Sequence, residues 1–322
     1  MYKKVLVTGG AGFIVTNLIL FLLKNKCSVV CIDNLNSGMQ QNIEMLANIG
    51  KNKFRFIEHD ITSKIIIKGI DEIYHLACPA SPKHYQKNPI KTINTSILGT
   101  FNILEIAEQN NAKVLFSSTS EVYGDPKEFP QKECYNGNVK TIGPRACYDE
   151  SKRCAETILY EYNKQKKINI KIARIFNTYG SYMSKNDGRV VSNFIINALT
   201  NQNIVIYGNG KQTRSFCYID DTIHGLISLM NKDSEYFGPV NIGNNNEICL
   251  LDFAYLVKEL TKSSSNIVHS SAVEDDPIRR CPDITKAYND LRWHPTTTLK
   301  SGILQTINYY KDLLNNKSVS RL

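Results

Sequence analysis

The stretch "VTGGAGFIVT", from Val7 to Thr16, decides the fold class of this chain. It follows a β-branched run and precedes an apolar helical pattern, which is the position of a glycine turn whose backbone amides meet a pyrophosphate. Gly9 and Gly12 fit this turn, whereas Val15 stands where a third glycine is expected. Glycine also serves turns that bind nothing, so the surrounding sequence has to separate the two interpretations.

Short strand patterns alternate with helical patterns through the first half of the chain. The runs "KKVLVTG", "CSVVCIDN", "KFRFIEHD", "DEIYHLA" and "AKVLFSSTS" are typical of strands, and "VTNLILFLLKNK" and "TSILGTFNILEIAEQNN" of helices. This alternation predicts a parallel sheet with right-handed crossovers. We therefore predict an α/β fold: a Rossmann-type doubly wound parallel sheet over residues 1–176, joined by some later segments, and a smaller C-terminal substrate-binding lobe mainly over residues 177–322.

The second strand pattern ends at Asp33, and this carboxylate predicts the cofactor. An acidic side chain in this position accepts hydrogen bonds from an adenosine ribose and repels a 2′-phosphate. The strand, the glycine turn, the helix and Asp33 together indicate NAD rather than NADP.

Composition narrows the class of protein further. The net charge of +9 is compatible with nucleic acid, an acidic surface or a small anionic substrate, and we favour the small substrate. The longest apolar run is too short for the roughly 20 residues that span a bilayer, and no apolar leader precedes the first strand. The 9 cysteines form no Cys-x-x-Cys pair or Cys/His cluster. We expect a cytoplasmic protein without a metal site, a membrane segment or a nucleic-acid partner.

The motif "YDESK" places Tyr148 and Lys152 four residues apart, on one face of a helix. A phenol is a poor base at neutral pH, but a nearby ammonium group favours its phenolate and lets it accept a proton from an alcohol. Such a pair is also common on helix surfaces. Together with the glycine turn and "SSTSEVYG" at a strand end, it indicates hydride-transfer chemistry.

Several longer blocks carry a family resemblance. They are "HLACPASPKHYQKNPIKT" from His75, "STSEVYGDP" from Ser118, "GPRACYDESKR" from Gly143, "ARIFNTYG" from Ala173, "NDGRVVSNFI" from Asn186, "YGNGKQTRSFCYIDD" from Tyr207 and "DDPIRRCPDI" from Asp275. With them the chain resembles the extended short-chain dehydrogenase/reductases, and among these the UDP-glucuronate decarboxylases, or UDP-xylose synthases. The resemblance runs from Lys4 to about Pro295.

The resemblance implies five catalytic roles. Tyr148 would remove the proton of the C4 hydroxyl group, and Lys152 would lower the pKa of Tyr148 and hold the nicotinamide ribose. Thr119 would hydrogen-bond the same C4 oxygen, and Glu121 would assist proton transfer at C5. Arg280 would bind the glucuronate carboxylate, although the residues around it also allow a surface salt bridge to a neighbouring aspartate, Asp275 or Asp276.

It also implies the binding residues and the assembly. NAD would contact Gly9, Gly12, Phe13, Ile14, Asp33, Asn34, Asp60, Ile61, Leu76, Ala77, Tyr148 and Lys152. The UDP-sugar substrate would contact Asn177, Arg189, Val190, Tyr207, Gln212, Arg214 and Arg280. A homodimer would form through the helices of "TSILGTFNILEIAEQNN" and "YDESKRCAETILYEYNKQ", although their apolar stripes could instead be buried within one subunit.

The implied reaction is decarboxylation of UDP-glucuronate to UDP-xylose. Oxidation at C4 by NAD⁺ makes the carboxylate that of a β-keto acid, so the charge left by CO2 can reside on the C4 oxygen. Ser120 precedes Glu121 where 4,6-dehydratases carry an aspartic acid that protonates a departing hydroxyl group, which disfavours that reaction. A 4,6-dehydratase, a 4-epimerase and a catalytically weakened nucleotide-binding regulatory protein stay open as alternatives.

Two positions depart from the family pattern. Val15 replaces the third glycine, and Ser96 stands where an asparagine is usual. The third glycine allows the helix to approach the sheet and the pyrophosphate closely, and valine adds bulk there. These departures predict weaker NAD binding with an intact fold.

Overall fold

The computed structural model describes residues 2–271 and 279–315. The first half of the chain builds six strands and five helices in alternation. In chain order they are β1 (Lys4–Thr8), α1 (Phe13–Lys24), β2 (Ser28–Asp33), α2 (Gln40–Gly50), β3 (Phe54–Glu58), β4 (Glu72–His75), α3 (Pro82–Tyr85), α4 (Pro89–Asn110), β5 (Lys113–Thr119), α5 (Ala146–Lys166) and β6 (Ile170–Ile175). Two single turns of 3-10 helix, Lys51–Lys53 and Ser120–Tyr123, lie between them.

The second half adds shorter strands and five further helices. In chain order they are β7 (Thr178–Tyr179), α6 (Val190–Leu199), β8 (Ile204–Tyr207), β9 (Thr213–Ser215), β10 (Cys217–Tyr218), α7 (Ile219–Met230), β11 (Val240–Ile242), β12 (Glu247–Cys249), α8 (Leu250–Thr261), β13 (Ile267–Ser270), β14 (Arg279–Arg280), α9 (Thr285–Leu291) and α10 (Leu299–Leu314). None of the helices in the described ranges is long and apolar enough to cross a membrane.

A seven-stranded sheet in the order β11-β6-β5-β4-β1-β2-β3 forms the centre of the molecule. Its neighbouring strands are all parallel. Alternate residues of a strand face opposite sides, so Val5 and Val7 belong to one core and Leu6 to the other. Helices α1 and α7 contribute to the first core, and α4 and α5 to the second. The predicted doubly wound parallel sheet is confirmed.

The later half of the chain returns to this sheet. Strand β11 pairs with β6, with Val240 beside Ala173, and α7 packs against β5 and β6. Three smaller sheets lie outside the main one. Strands β12, β9 and β14 form one of them, and β13 pairs with β8 and β10 with β7. In the first of these, the register places Arg280 beside Arg214, so two cations that lie far apart in sequence meet on neighbouring strands.

Candidate active site

A cavity of about 600 Å³ runs from the glycine turn to the sheet that carries Arg280. Most of the predicted site residues line it. They are Gly9, Gly12, Phe13, Ile14, Asp33, Asn34, Ile61, Leu76, Ala77, Thr119, Glu121, Tyr148, Asn177, Arg189, Val190, Tyr207, Gln212, Arg214 and Arg280. Asp60 and Lys152 are the two predicted residues that do not form part of its wall.

The glycine turn is shaped to admit a ligand close to the backbone. Gly9 has a φ of +79°, and a Cβ atom there would lie 2.9 Å from the Cα atom of Ala77, so no larger residue fits. Gly12 immediately precedes α1, where the first backbone N–H groups have no partner within the helix and attract an anion. The turn therefore fits the pyrophosphate of a dinucleotide.

Asp33 lies at the end of β2, beside the glycine turn. Its carboxylate accepts hydrogen bonds from the backbone N–H of Ala11 at 3.0 Å and of Leu35 at 2.7 Å. Burial raises the pKa of Asp33, and these backbone hydrogen bonds oppose the rise. The carboxylate is thus fixed in the cavity wall by the main chain, in the place where a ribose can be bound.

Val15 is accommodated within α1. Its side chain is 4% exposed, belongs to the first core and reaches the cavity wall. The helix is regular at this point, because the backbone N–H of Thr16 donates to the carbonyl of Gly12 at 2.9 Å. Ser96 is also buried, and its hydroxyl group lies 3.2 Å from the Cys78 sulfur atom. Val15 and Ser96, the two departures from the family pattern, are thus both buried in the folded structure.

Asp60 is engaged by side chains rather than open to the cavity. Lys91 forms a salt bridge with its carboxylate, and the Asn34 amide group donates to it at 3.1 Å. Burial raises the pKa of Asp60, but these contacts and those from Thr62 outweigh it and hold the pKa well below its usual range. The neighbouring Ile61 does line the cavity, so of these two adjacent residues predicted to contact NAD only Ile61 is in its wall.

Tyr148 and Lys152 both lie on α5, where the sequence motif places them. Tyr148 is 5% exposed, and burial raises its pKa well above the ordinary value, while a hydrogen bond with Thr119 opposes the rise. The Lys152 ammonium group donates to the carbonyl of Ser117 at 2.8 Å and lies 4.5 Å from the centroid of the Phe116 ring. The Lys152 ammonium group is thus held against β5, and its predicted effect on the pKa of Tyr148 stays a prediction.

At the inner end of the cavity, Glu121 bridges two arginines. One carboxylate oxygen pairs with Arg280 and the other with Arg145. Arg280 is 3% exposed and also donates to the carbonyl of Gly124 at 2.8 Å and to the Ser120 hydroxyl group at 3.3 Å. Burial raises the pKa of Glu121, but the two guanidinium groups outweigh it and keep the pKa low. Glu121 is therefore ionised at neutral pH and can accept a proton but not donate one.

The alternative partners of Arg280, Asp275 and Asp276, lie outside the described residues. Arg280 is buried and turned toward Glu121. It is the adjacent Arg279 that is exposed, and it pairs with Glu247 at 2.6 Å.

Sequence reasoning missed two residues of this wall. Arg145 lies within the quoted motif "GPRACYDESKR", yet its pairing with Glu121 depends on tertiary contact. Tyr85, on α3, stacks on Tyr148 with ring centroids 5.0 Å apart and planes at 2°. The Tyr85 hydroxyl group is buried without a hydrogen-bond partner among the residues described. Its place in the cavity wall marks it as a group that a polar ligand can satisfy.

Another part of the cavity wall carries residues predicted to contact the UDP-sugar substrate. Arg189 pairs with Asp187 through nitrogen and oxygen atoms 2.9 Å apart. Gln212 donates to the carbonyl of Tyr207 at 2.7 Å, and Arg214 to that of Thr213 at 2.8 Å. Two guanidinium groups on one wall give this part of the cavity the charge that a diphosphate requires.

A fold that joins a dinucleotide turn to a Tyr–Lys helix and a cationic wall defines an extended short-chain dehydrogenase/reductase acting on nucleotide sugars. The family model described as GDP-mannose 4,6 dehydratase matches residues 6–306, and the chain belongs to that family. Within it, the chain is 48% identical to UDP-glucuronic acid decarboxylase 1 of Danio rerio, over 98% of this chain and 74% of that protein. These matches confirm the resemblance predicted from the sequence motifs.

Two further proteins show the breadth of the similarity. The chain is 48% identical to UDP-glucuronic acid decarboxylase 6 of Arabidopsis thaliana, over 93% of this chain and 86% of that protein. Among solved structures, UDP-glucuronic acid 4-epimerase from Bacillus cereus in complex with UDP-glucuronic acid and NAD is 29% identical, with a TM-score of 0.84. That alignment covers 97% of this chain and 100% of the epimerase.

Proposed function

We propose that this chain is a UDP-glucuronic acid decarboxylase that converts UDP-glucuronate to UDP-xylose with NAD. The observation that carries the proposal is the position of Glu121 between Arg145 and Arg280, at the end of the cavity where Tyr148 lies. A buried guanidinium group, Arg280, with a partly buried one, Arg145, beside it suits a substrate carboxylate rather than a hydroxymethyl group. Similarity to decarboxylases over nearly the whole chain supports the same reaction.

In this proposal each residue near the sugar has a separate role in the reaction. In the form of its phenolate, which the neighbouring Lys152 ammonium group favours, Tyr148 accepts the proton of the C4 hydroxyl group, and Thr119 hydrogen-bonds the C4 oxygen while it carries the charge left by CO2. Arg280 and Arg145 orient the substrate carboxylate. After CO2 leaves, C5 needs a proton from solvent, and the ionised Glu121 can relay this proton by first accepting it and then passing it to C5. Ser120, which donates no proton readily, leaves no acid for the dehydratase reaction.

NAD fits the glycine end of the cavity. Gly9 and Gly12 line the cavity in front of the first turn of α1, and Asp33 lies where a ribose can bind. When bound, NAD supplies the hydride acceptor and donor for C4. In this proposal Phe13 and Ile14 contribute amide groups to the pyrophosphate, and Arg189, Gln212 and Arg214 hold the UDP group. A cytoplasmic location, testable by fractionation, and a homodimer through α4 and α5, testable by ultracentrifugation, complete the proposal.

The decisive experiment is to incubate the purified protein with UDP-glucuronate and NAD⁺ and to identify the sugar nucleotide by NMR. We expect UDP-xylose and CO2 in equal amounts, with NAD⁺ regenerated in each cycle. UDP-glucose is the matched control, because it differs at C6 alone, and we expect no product from it.

Other products would assign other functions. A C4 epimer of UDP-glucuronate would make the chain an epimerase, and a 4-keto-6-deoxy sugar from UDP-glucose would make it a dehydratase. Binding of both nucleotides without any turnover would favour a regulatory protein.

A further inference from the structure

Four charged side chains meet at the inner end of the site, and we call them the charge cluster: Glu121, Arg145, Asp149 and Arg280. Glu121 pairs with both arginines, and Arg145 Nε lies 4.0 Å from Asp149 Oδ2. Asp149 and Arg280 are at most 5% exposed, and Glu121 is paired with an arginine on each side. Water therefore screens these three charges little. With two carboxylates and two guanidinium groups, the fully ionised cluster is neutral.

Asp149 is the carboxylate that this cluster holds least firmly. Its side chain is 5% exposed, and its Oδ1 atom is buried without a hydrogen-bond partner among the described residues. Its other oxygen is too far from Arg145 for a hydrogen bond. Both oxygens of Glu121, in contrast, receive a guanidinium N–H group. A proton added to the cluster therefore costs least at Asp149.

A substrate carboxylate adds a third negative charge to this buried group. An uncompensated charge in such a site is expensive, and the usual relief is protonation of one of the groups. Burial, and then the charge of Glu121, already raises the pKa of Asp149 to about 7, although Arg145 and Arg280 oppose the rise. The arrival of another carboxylate acts in the same direction as Glu121.

The other titratable groups near Asp149 do not compete for this proton. Burial raises the pKa of Tyr85, Cys147 and Tyr148, so these groups are already neutral near pH 7. Glu150 is more than one-third exposed and lies 3.6 Å from Arg153, and its charge raises the pKa of Asp149 less than that of Glu121 does. Asp149 is the group whose charge can change when the substrate enters.

We propose that Asp149 takes up one proton from solvent when a substrate carboxylate binds to Arg145 and Arg280. By losing its charge it acts as a positioning residue, because it leaves both guanidinium groups to Glu121 and the substrate. The inference rests on the proposed function for the identity of the carboxylate ligand. It adds a proton-coupled binding step to that function.

The test is titration calorimetry of the NADH-saturated protein with UDP-glucuronate, in buffers of different ionisation heat. NADH prevents oxidation at C4, so binding alone is measured. We expect almost no proton uptake at pH 6, where Asp149 is already largely protonated, and a clearly larger uptake at pH 7 and pH 8, because Asp149 must be ionised before it can gain a proton. UDP-xylose, which lacks the carboxylate, should bind without proton uptake at any of these pH values.

Variants assign the proton to a residue. Asp149→Asn should bind UDP-glucuronate without proton uptake, whereas the control Glu150→Gln, which removes a neighbouring charge but keeps Asp149, should still take up a proton. Uptake that persists in Asp149→Asn, or that fails to increase from pH 6 to pH 8 in the unmodified protein, would overturn the inference. The second measurement needs no variant, so it holds even if Asp149→Asn does not fold. If the unmodified protein neither binds UDP-glucuronate nor forms UDP-xylose, the proposed function fails first and this inference with it.

Discussion

The two ends of the cavity are formed by different kinds of groups, main-chain groups at one end and charged side chains at the other. The glycine end consists of main chain within one strand-turn-helix-strand unit, where Gly9 lets the backbone of Ala77 pack against the turn and backbone N–H groups fix Asp33. The inner end consists of ionised side chains, and Arg280 reaches Glu121 across 159 positions of sequence. In the proposed function, the first end holds the dinucleotide and the second acts on the sugar. Substitutions at the glycine end should therefore change the affinity for NAD, and substitutions at the inner end should change kcat or kcat/KM for the sugar nucleotide.

The largest effect is expected at the inner end, from Tyr148→Phe. The variant retains the stack on Tyr85 but has no group to accept the C4 proton, so kcat should fall by about 1,000-fold or more. NAD affinity, measured by calorimetry, should stay the same. Tyr160→Phe makes the same chemical change at an exposed position of α5 and is the control. Near-normal turnover by Tyr148→Phe would remove this residue from the mechanism.

Arg280→Lys should have the next largest effect, again at the inner end. Lysine keeps the positive charge but cannot span Glu121, the carbonyl of Gly124 and a substrate carboxylate in one plane. We expect kcat/KM for UDP-glucuronate to fall by about 100-fold, with little change in UDP-xylose binding. Arg279→Lys, at the exposed neighbour, is the matched control. An equal loss of affinity for UDP-glucuronate and UDP-xylose would mean that Arg280 does not bind the substrate carboxylate.

The smallest effect is expected at the glycine end, from Val15→Gly. Removing the extra bulk should tighten NAD binding by up to about tenfold, measured by calorimetry, with kcat at saturation unchanged. Stability should move in the opposite direction, because glycine within a helix costs up to about 1 kcal/mol and the loss of a buried valine side chain about 1.5–3 kcal/mol. A lower melting temperature without NAD would therefore accompany tighter binding. Unchanged NAD affinity would show that the turn has adapted to valine.

The sequence predicted the glycine end better than the inner end. The strands, α1 and the turn depend on patterns within a few residues, and Asp33 follows directly from the end of β2. The inner end depends on contacts that no local pattern encodes. Arg145 was inside a recognised motif but was assigned no role, and the pairing of Glu121 with two arginines requires β14 to lie beside β9. The Lys152 ammonium group illustrates the same limit, because its position against β5 depends on how α5 docks.

Strand β11 and helix α7 follow the strands β1 to β6 in the chain, and this order affects how the chain folds during its synthesis. A ribosome releases all the strands from β1 to β6 before it makes the segment that closes the sheet. Until Val240–Ile242 emerges, the edge of β6 is unpaired, and the apolar face of β5 and β6 that α7 covers is open to solvent. An open strand edge next to an uncovered apolar face is where a nascent chain is most prone to pair with the wrong neighbour. The nucleotide-binding half is thus completed by the half that carries the substrate site, and the nascent chain is protected only when both have been made.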